Sequence, residues 1–225
     1  MKRLLTSAAL LVCLAAGLSA QTQTANLRIV HAVADAPAVD VYANGALVVE
    51  ALPFKAATGY LSVPAGSYQV EVNVSGTSTT VIRDHFTLAA GVDYSSIAVG
   101  SVENGMLRLL TIGDNLLPRE EGTIRVRVIH AAASAPAVDL YLGAPYAPVS
   151  TVDPLLESVP FGAQTGHMDF PNGLYQGRVT VSGTKTIAIE TDPLRLPDKA
   201  VRTFIAVDAA GGGAPFQIIT LLDEK

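Results

Sequence analysis

Cysteine is almost absent from this chain of 225 residues. The single one, Cys13, falls inside an apolar N-terminal segment. Once that segment is removed no thiol remains, which excludes disulfides and thiolate metal centres. Tryptophan is missing altogether and aromatic residues make up 6% of the chain. A Cys–Trp–Cys core of the antibody kind is therefore ruled out, and the interior must be built from Val, Ile, Leu and Tyr. Basic residues are also scarce: without Lys2 and Arg3, 13 of them face 20 acidic ones, a net charge of −7. Nucleic-acid binding needs a basic patch, and Arg125 and Arg127 are merely alternate residues of one strand. Beyond residue 20 no apolar run approaches the roughly 20 residues of a membrane span, and signals for helix starts and stops are nearly missing.

What is present begins with the leader. Lys2 and Arg3 precede a mostly apolar stretch from Leu4 to Leu18, and Leu18-Ser19-Ala20 supplies small residues before a cut. Residues 1–20 read as a signal peptide, so the protein is expected to be exported, whether periplasmic, cell-surface or extracellular. Val12 is a poor residue for lipoprotein processing at Cys13.

The most informative feature is a repeat. Arg28-Ile-Val-His-Ala-Val-Ala-Asp-Ala-Pro-Ala-Val-Asp-Val-Tyr42 returns as Arg127-Val-Ile-His-Ala-Ala-Ala-Ser-Ala-Pro-Ala-Val-Asp-Leu-Tyr141, with ten of fifteen positions identical. The two copies stay alignable onward: Pro53-Phe54 with Pro160-Phe161, Thr58-Gly59 with Thr165-Gly166, Pro64-Ala-Gly-Ser-Tyr68 with Pro171-Asn-Gly-Leu-Tyr175, and Ile97-Ala-Val99 with Ile205-Ala-Val207. The offset grows from 99 to 107, placing eight extra residues between Tyr141 and Pro160 of the second copy. A unit of roughly 90–100 residues is a domain rather than a solenoid repeat.

Each copy reads as short strands cut by Gly, Pro, Asn and Asp. In the first they are expected at 26–32, 39–43, 46–49, 58–63, 67–75, 79–88, 94–100 and 106–111. Tyr68-Gln-Val-Glu-Val-Asn-Val74 alternates cleanly, giving one dry and one wet face, as in an antiparallel sandwich. Asn44-Gly45 and Asn104-Gly105 suit tight hairpin turns with positive φ at both central positions. The fold class is all-β: two tandem antiparallel β-sandwich domains, immunoglobulin-like or transthyretin-like. The first is expected over 21–113 and the second over 123–225, joined by a linker at 114–122. Leu116 and Leu117 in that linker would be costly in water and are expected to help dock the domains.

These residues carry a resemblance. Arg28-x-x-His31-Ala-x-x-Asp35-Ala-Pro-Ala-Val-Asp40-Val-Tyr42, then Pro64-Ala-Gly-x-Tyr68, then Gly91-x-x-Tyr94 leading to Ala98-Val-Gly100, resembles the bacterial domain of unknown function family 4397, in two tandem copies. The resemblance implies an exported or cell-surface protein and brings no established catalytic residues. The second copy departs from the pattern, with Ser134 for Asp35 and Pro197-Asp-Lys-Ala-Val-Arg202 for the Gly91 to Tyr94 stretch.

The candidate binding residues are His31, Asp35 and Asp40, with His130 and Asp139 in the second copy. His31 shares parity with Leu27 and Ile29 and so points inward, where it needs a hydrogen-bond partner. One reading is a clasp, His to Asp or Asp to backbone, holding the motif together. The other is a metal or acid–base site. Zinc wants three or four ligands, and the second copy offers only His130 and Asp139. A hydrolase built on Ser134, His130 and Asp139 lacks a nucleophile elbow, and the first copy has no such serine. Asp153 and Glu157 of the insert do not make a calcium loop. Arg28 and Arg127 are read as exposed strand residues, His85 and His167 as surface residues, and Tyr68 and Tyr175 as anchors behind a turn. Gly211-Gly212-Gly213 reads as a flexible hairpin loop rather than a phosphate cradle.

The expected function is a non-enzymatic exported cell-envelope protein, structural, adhesive or binding a surface ligand. The alternative is a module that binds a small ligand, glycan or metal through the repeated His/Asp loops; a hydrolase is the third reading. No cofactor is expected. Partners would be an envelope component, a glycan or a protein, with no nucleic acid and no transmembrane span.

Overall fold

The computed structural model describes residues 23–117 and 120–223. The expected signal peptide and two linker positions lie outside them. The first half contains β1 (Thr24–His31), β2 (Val39–Ala43), β3 (Ala46–Leu52), β4 (Leu61–Pro64), β5 (Gly66–Val74), β6 (Thr80–Leu88), β7 (Asp93–Val99) and β8 (Arg108–Asp114). The second contains β9 (Thr123–His130), β10 (Val138–Gly143), β11 (Leu156–Val159), β12 (Met168–Pro171), β13 (Gly173–Val181), β14 (Ile187–Glu190), β15 (Leu194–Leu196), β16 (Val201–Val207) and β17 (Gln217–Leu222). Among the described residues no helix is long and apolar enough to cross a membrane.

All eight strands expected in the first copy form, with ends displaced by a few residues. They make two sheets, β4-β1-β7-β8 and β3-β2-β5-β6. The second half repeats this as β12-β9-β16-β17 and β11-β10-β13-β14, with β15 beside β13. Where the first copy runs one nine-residue β6, the second has β14 and β15 separated by Thr191-Asp192-Pro193. Proline offers no N–H to the ladder, so the strand breaks there.

Pairing is antiparallel except for one ladder in each half. β1 runs parallel to β7 from Asn26↔Asp93 to His31↔Ala98, and β9 runs parallel to β16 in the same register. The strands of these ladders have two dry faces. Ile29, Ala98 and Leu109 face the sandwich interior. Val30, Ile97, Val99 and Ile112 turn the other way and meet Ile129, Ile205, Val207, Ile219 and Leu221 of the second half in one continuous core. The two sandwiches thus pack sheet to sheet, with an apolar layer between them.

Four buried charges sit in that layer. Arg28 and Arg127 are 3% and 1% exposed, not the surface residues expected from their place in an alternating strand. Arg127 Nη2 donates to Asp114 Oδ1 of the first half at 2.5 Å. Arg28 Nη2 lies 2.7 Å from Asp223 Oδ1 of the second half, a charge contact rather than a well-aligned hydrogen bond. Each arginine also donates to a hydroxyl of its own half, Arg28 to Ser95 and Arg127 to Thr203. Those hydroxyls donate in turn to Asp114 and Asp223, both at 2.6 Å. Tyr60 donates to Asp114 at 2.7 Å, and its ring lies under Arg28. At the matching place in the second half is His167, half-buried, with its Nε2 facing no hydrogen-bond partner. It is not the free surface residue the sequence suggested, whereas His85 is exposed.

Two smaller expectations change. Asn44 and Gly45 both take positive φ, but around Asn104 only Gly105 does, so that turn is not the tight two-residue kind. Leu117 remains 69% exposed and Leu116 is half-buried; the docking is done by the sheets.

Removing one partner of a buried ion set leaves a charge stranded and costs about 3–5 kcal/mol, whereas an exposed pair is worth about 0–1 kcal/mol. Asp114→Ala is expected to lower the urea-unfolding free energy by the larger amount. Glu71→Ala, which removes the solvent-facing pair with Arg83, should change it by less than about 1 kcal/mol.

Candidate functional site

The repeated motif begins inside β1 at Arg28, and His31 is the last residue of that strand. Strand parity turns His31 into the sandwich, 1% exposed, beside the edge of the Phe54 ring. Its Nε2 lies 3.0 Å from the Pro37 carbonyl oxygen. A carbonyl only accepts, so this nitrogen carries the proton. Nδ1 then accepts the Val33 N–H at 3.3 Å. His130 repeats the first contact with Pro136 at 3.0 Å and the ring contact with Phe161; its Nδ1 has no partner. Burial lowers both pKa values against the pull of the proline carbonyls, so both rings are neutral. Neither pairs with an aspartate of its motif.

Asp40 is the backbone clasp that was one of the expected alternatives. Its Oδ1 accepts from Ala51 N–H at 2.7 Å and its Oδ2 from Gly76 N–H at 2.9 Å. Asp139 does the same with Ser158 at 2.8 Å and Gly183 at 2.9 Å. Ala51 and Ser158 have φ of 50° and 54°, in the left-handed region that non-glycine residues avoid. A carboxylate fixed on that N–H offsets the strain and ties the irregular β2–β3 pairing to the β5–β6 turn. The two donated N–H groups hold Asp40 below the usual carboxylate range. For Asp139 burial opposes the shift, and the N–H groups of Ser158 and Gly183 outweigh it.

The third candidate has a different partner in each copy. Asp35 accepts from Ser101 Oγ at 2.8 Å and from the N–H groups of Val102 and Glu103 at 3.0 and 3.1 Å. These outweigh the effect of its partial burial and leave its pKa lowered. The turn it holds follows Gly100, where φ is 122° and a Cβ would stand 1.9 Å from the Met106 carbonyl oxygen. In the second copy the acid moves to the other side. Ser134 Oγ donates to Asp208 Oδ1 at 2.5 Å, and Ala133 N–H donates to Asp208 Oδ2 at 2.8 Å. A serine–aspartate bond is kept with the acid on the opposite segment, at Asp208, which aligns with Gly100 rather than with Ser101.

These side chains are therefore not convergent. Among the described residues no group of three or more His, Cys, Asp or Glu is placed to hold a metal ion. Ser134 bonds Asp208, and His130 bonds a proline carbonyl. Tyr68 and Tyr175 donate to Pro64 and Pro171 carbonyls at 2.6 and 2.7 Å, as anchors behind a turn should. Asp153 and Glu157 are exposed, and Tyr146 of the insert is 78% exposed.

The family described as "Domain of unknown function (DUF4397)" matches residues 25–141, more than half of the chain. No curated protein matches. Among solved structures, a leucine-rich repeat protein from Bacteroides thetaiotaomicron VPI-5482 is similar at 11% identity and a TM-score of 0.22. It covers 85% of this chain, which spans only 27% of that protein. A streptococcal virulence factor, in a structure of its alpha-glucan binding, shows 13% identity and a TM-score of 0.25, covering 84% of this chain and 94% of its own. The CBM26 module CBMbc from Eubacterium rectale Amy13K, in complex with maltoheptaose, shows 9% identity and a TM-score of 0.25, covering 89% and 98%. Likeness at this level carries no functional argument.

Three histidines set the pH dependence. His31 and His130 are lowered as described, and burial followed by the nearby Arg127 lowers His167 to about 4. A group whose folded pKa lies below its unfolded value stabilises the fold above the unfolded value, about 6.5 for histidine, and that stability is lost as pH falls towards the folded one. The thermal midpoint is expected to drop between about pH 6.5 and 4, with a shallower slope in His167→Gln. Below the ordinary carboxylate range the depressed Asp35, Asp40 and Asp139 should add a further loss.

Proposed function

The chain belongs to the DUF4397 family, and from that premise we propose that it carries two tandem copies of the domain and serves as a non-enzymatic exported module of the cell envelope, structural, adhesive or presenting a surface to a ligand. One observation carries this reading. The arginine, histidine and aspartate kept in both copies of the opening motif each have an internal structural task. The arginines tie one half to the other, the histidines hold a proline carbonyl, and the aspartates hold backbone N–H groups. Catalysis needs an acid, base or nucleophile placed beside a reacting atom; the motif nitrogen without a partner, Nδ1 of His130, belongs to a ring that is 2% exposed. The leader-like first twenty residues support export. The sheet-to-sheet packing of the two halves supports a rigid spacer or display unit rather than two beads on a tether.

Ligand binding by the repeated His/Asp loops is the competing reading, and metal is its sharpest form. Thermal unfolding of the mature protein in EDTA, Ca²⁺ or Zn²⁺ is expected to give one midpoint, within about a degree. A ligand at a hundred times its Kd would stabilise by about 2.7 kcal/mol, a shift of several degrees. His31→Ala with His130→Ala should melt several degrees lower under all three conditions. A metal-dependent rise that this variant loses would overturn the structural reading of the motif. Recovery of the protein in the cytoplasmic fraction of its host would overturn export.

A further inference from the structure

The two sandwiches are not equally filled. The first encloses a cavity of about 210 Å³ between its sheets, while the corresponding space in the second is about 50 Å³. Two substitutions between the copies reduce the space in the second. Ser96 of β7 pairs with Ile29 of β1; at the same register of the second half Phe204 pairs with Val128. Ala43 of β2 likewise corresponds to Leu142 of β10. Ser96 and Ala43 line the larger space, Phe204 and Leu142 the smaller one. Val70 stands where the second copy has Gly177, which returns only part of the room.

No charged side chain lines the cavity, and the polar groups that do are already engaged. Ser96 Oγ shares a hydrogen bond with Thr111 Oγ1 at 2.9 Å. Both ring nitrogens of His31 are occupied, and the Tyr68 hydroxyl donates to Pro64. No lining polar side-chain atom is left unpartnered, and no charged group stands inside to pair with a charged ligand. An apolar void of this kind stays dry, and one of about 150 Å³ takes up benzene. Its walls lack dispersion partners until something fills it.

The cavity also has a mouth. Val48 of β3 and Leu61 of β4 both line it and are 43% and 37% exposed. They belong to the free edges of the two sheets, which are not paired to each other. In the second copy the inserted segment runs along the matching edge. Leu155 from it lines the smaller space, and its N–H donates to the Leu140 carbonyl.

We propose that the first sandwich is a binding site for a small, uncharged apolar molecule, a one- or two-ring aromatic or a short alkyl compound, admitted between β3 and β4. The second copy is the same site closed by Phe204, Leu142 and the insert. This inference stands apart from the envelope reading, since it rests on the cavity alone.

The test is thermal unfolding of the mature protein with toluene, naphthalene and 1-octanol, beside Ser96→Phe and Ala43→Leu, which graft the second copy's filling into the first. At least one probe should raise the wild-type midpoint by a few degrees. The filled variants should melt at or above the wild type without ligand and lose the response. A wild type indifferent to all three probes would sink the proposal, as would a response that persists in both variants. Should overpacking prevent the variants from folding, xenon-pressurised crystals of the wild type decide the matter: xenon in the first sandwich supports the site, and an empty first sandwich overturns it.

Discussion

The arrangement of the molecule depends on four charges held out of water between its halves. Two arginines and two aspartates form a neutral cluster, each arginine tied to a hydroxyl of its own half and facing the carboxylate of the other. Such a set is costly to desolvate, and an apolar replacement of equal volume can be as stable. What it adds here is register. The surrounding layer of Val30, Ile97, Val99, Ile129, Ile205 and Val207 is aliphatic throughout, and aliphatic sheet faces tolerate sliding. A shift of one residue would part both arginines from their carboxylates and leave four buried charges unpaired. The wrong alignments are thereby penalised more than the right one is rewarded.

That constraint reaches the rest of the fold through β1 and β9. These strands carry the arginine on one face and the motif histidine on the other, and each pairs in parallel with the strand bearing Ser95 or Thr203. The histidine then fixes the turn after the strand, and the aspartate nine residues on fixes two more. One fifteen-residue motif thus coordinates the interface, the sandwich interior and the loops at its end, which is reason enough for its survival in both copies.

Much of this was legible in the sequence. The period-two pattern of Tyr68 to Val74 located β5 and its faces, and the Asn44-Gly45 dipeptide located the turn between β2 and β3. The inward direction of His31 followed from parity. The arginines were misread because alternation only says that Arg28 and His31 lie on opposite faces. It cannot say that the outer face is covered by a second sheet. Arg28 and Asp223 stand at opposite ends of the chain, and nothing local links them. The clue lay in neighbouring residues: Ile97 and Val99 share a face with Ser95, so β7 is apolar on both sides, as a doubly covered strand must be. The partners of Asp35 and Ser134 were missed for the same reason of distance.

The comparison of copies also separates scaffold from the seat of function. The arginine, histidine and aspartate shared by both halves close hydrogen bonds or ion pairs inside the protein. The differences fall elsewhere: at Ser96 against Phe204, at Ala43 against Leu142, and in the insert that lies along one sheet edge only. Those positions are free of the constraints of the motif, because the sandwich folds with the interior either filled or open. A tandem pair of this kind can hold its architecture with one half closed and leave the other to bind. The asymmetry, rather than the repeated motif, is where a specific activity can reside.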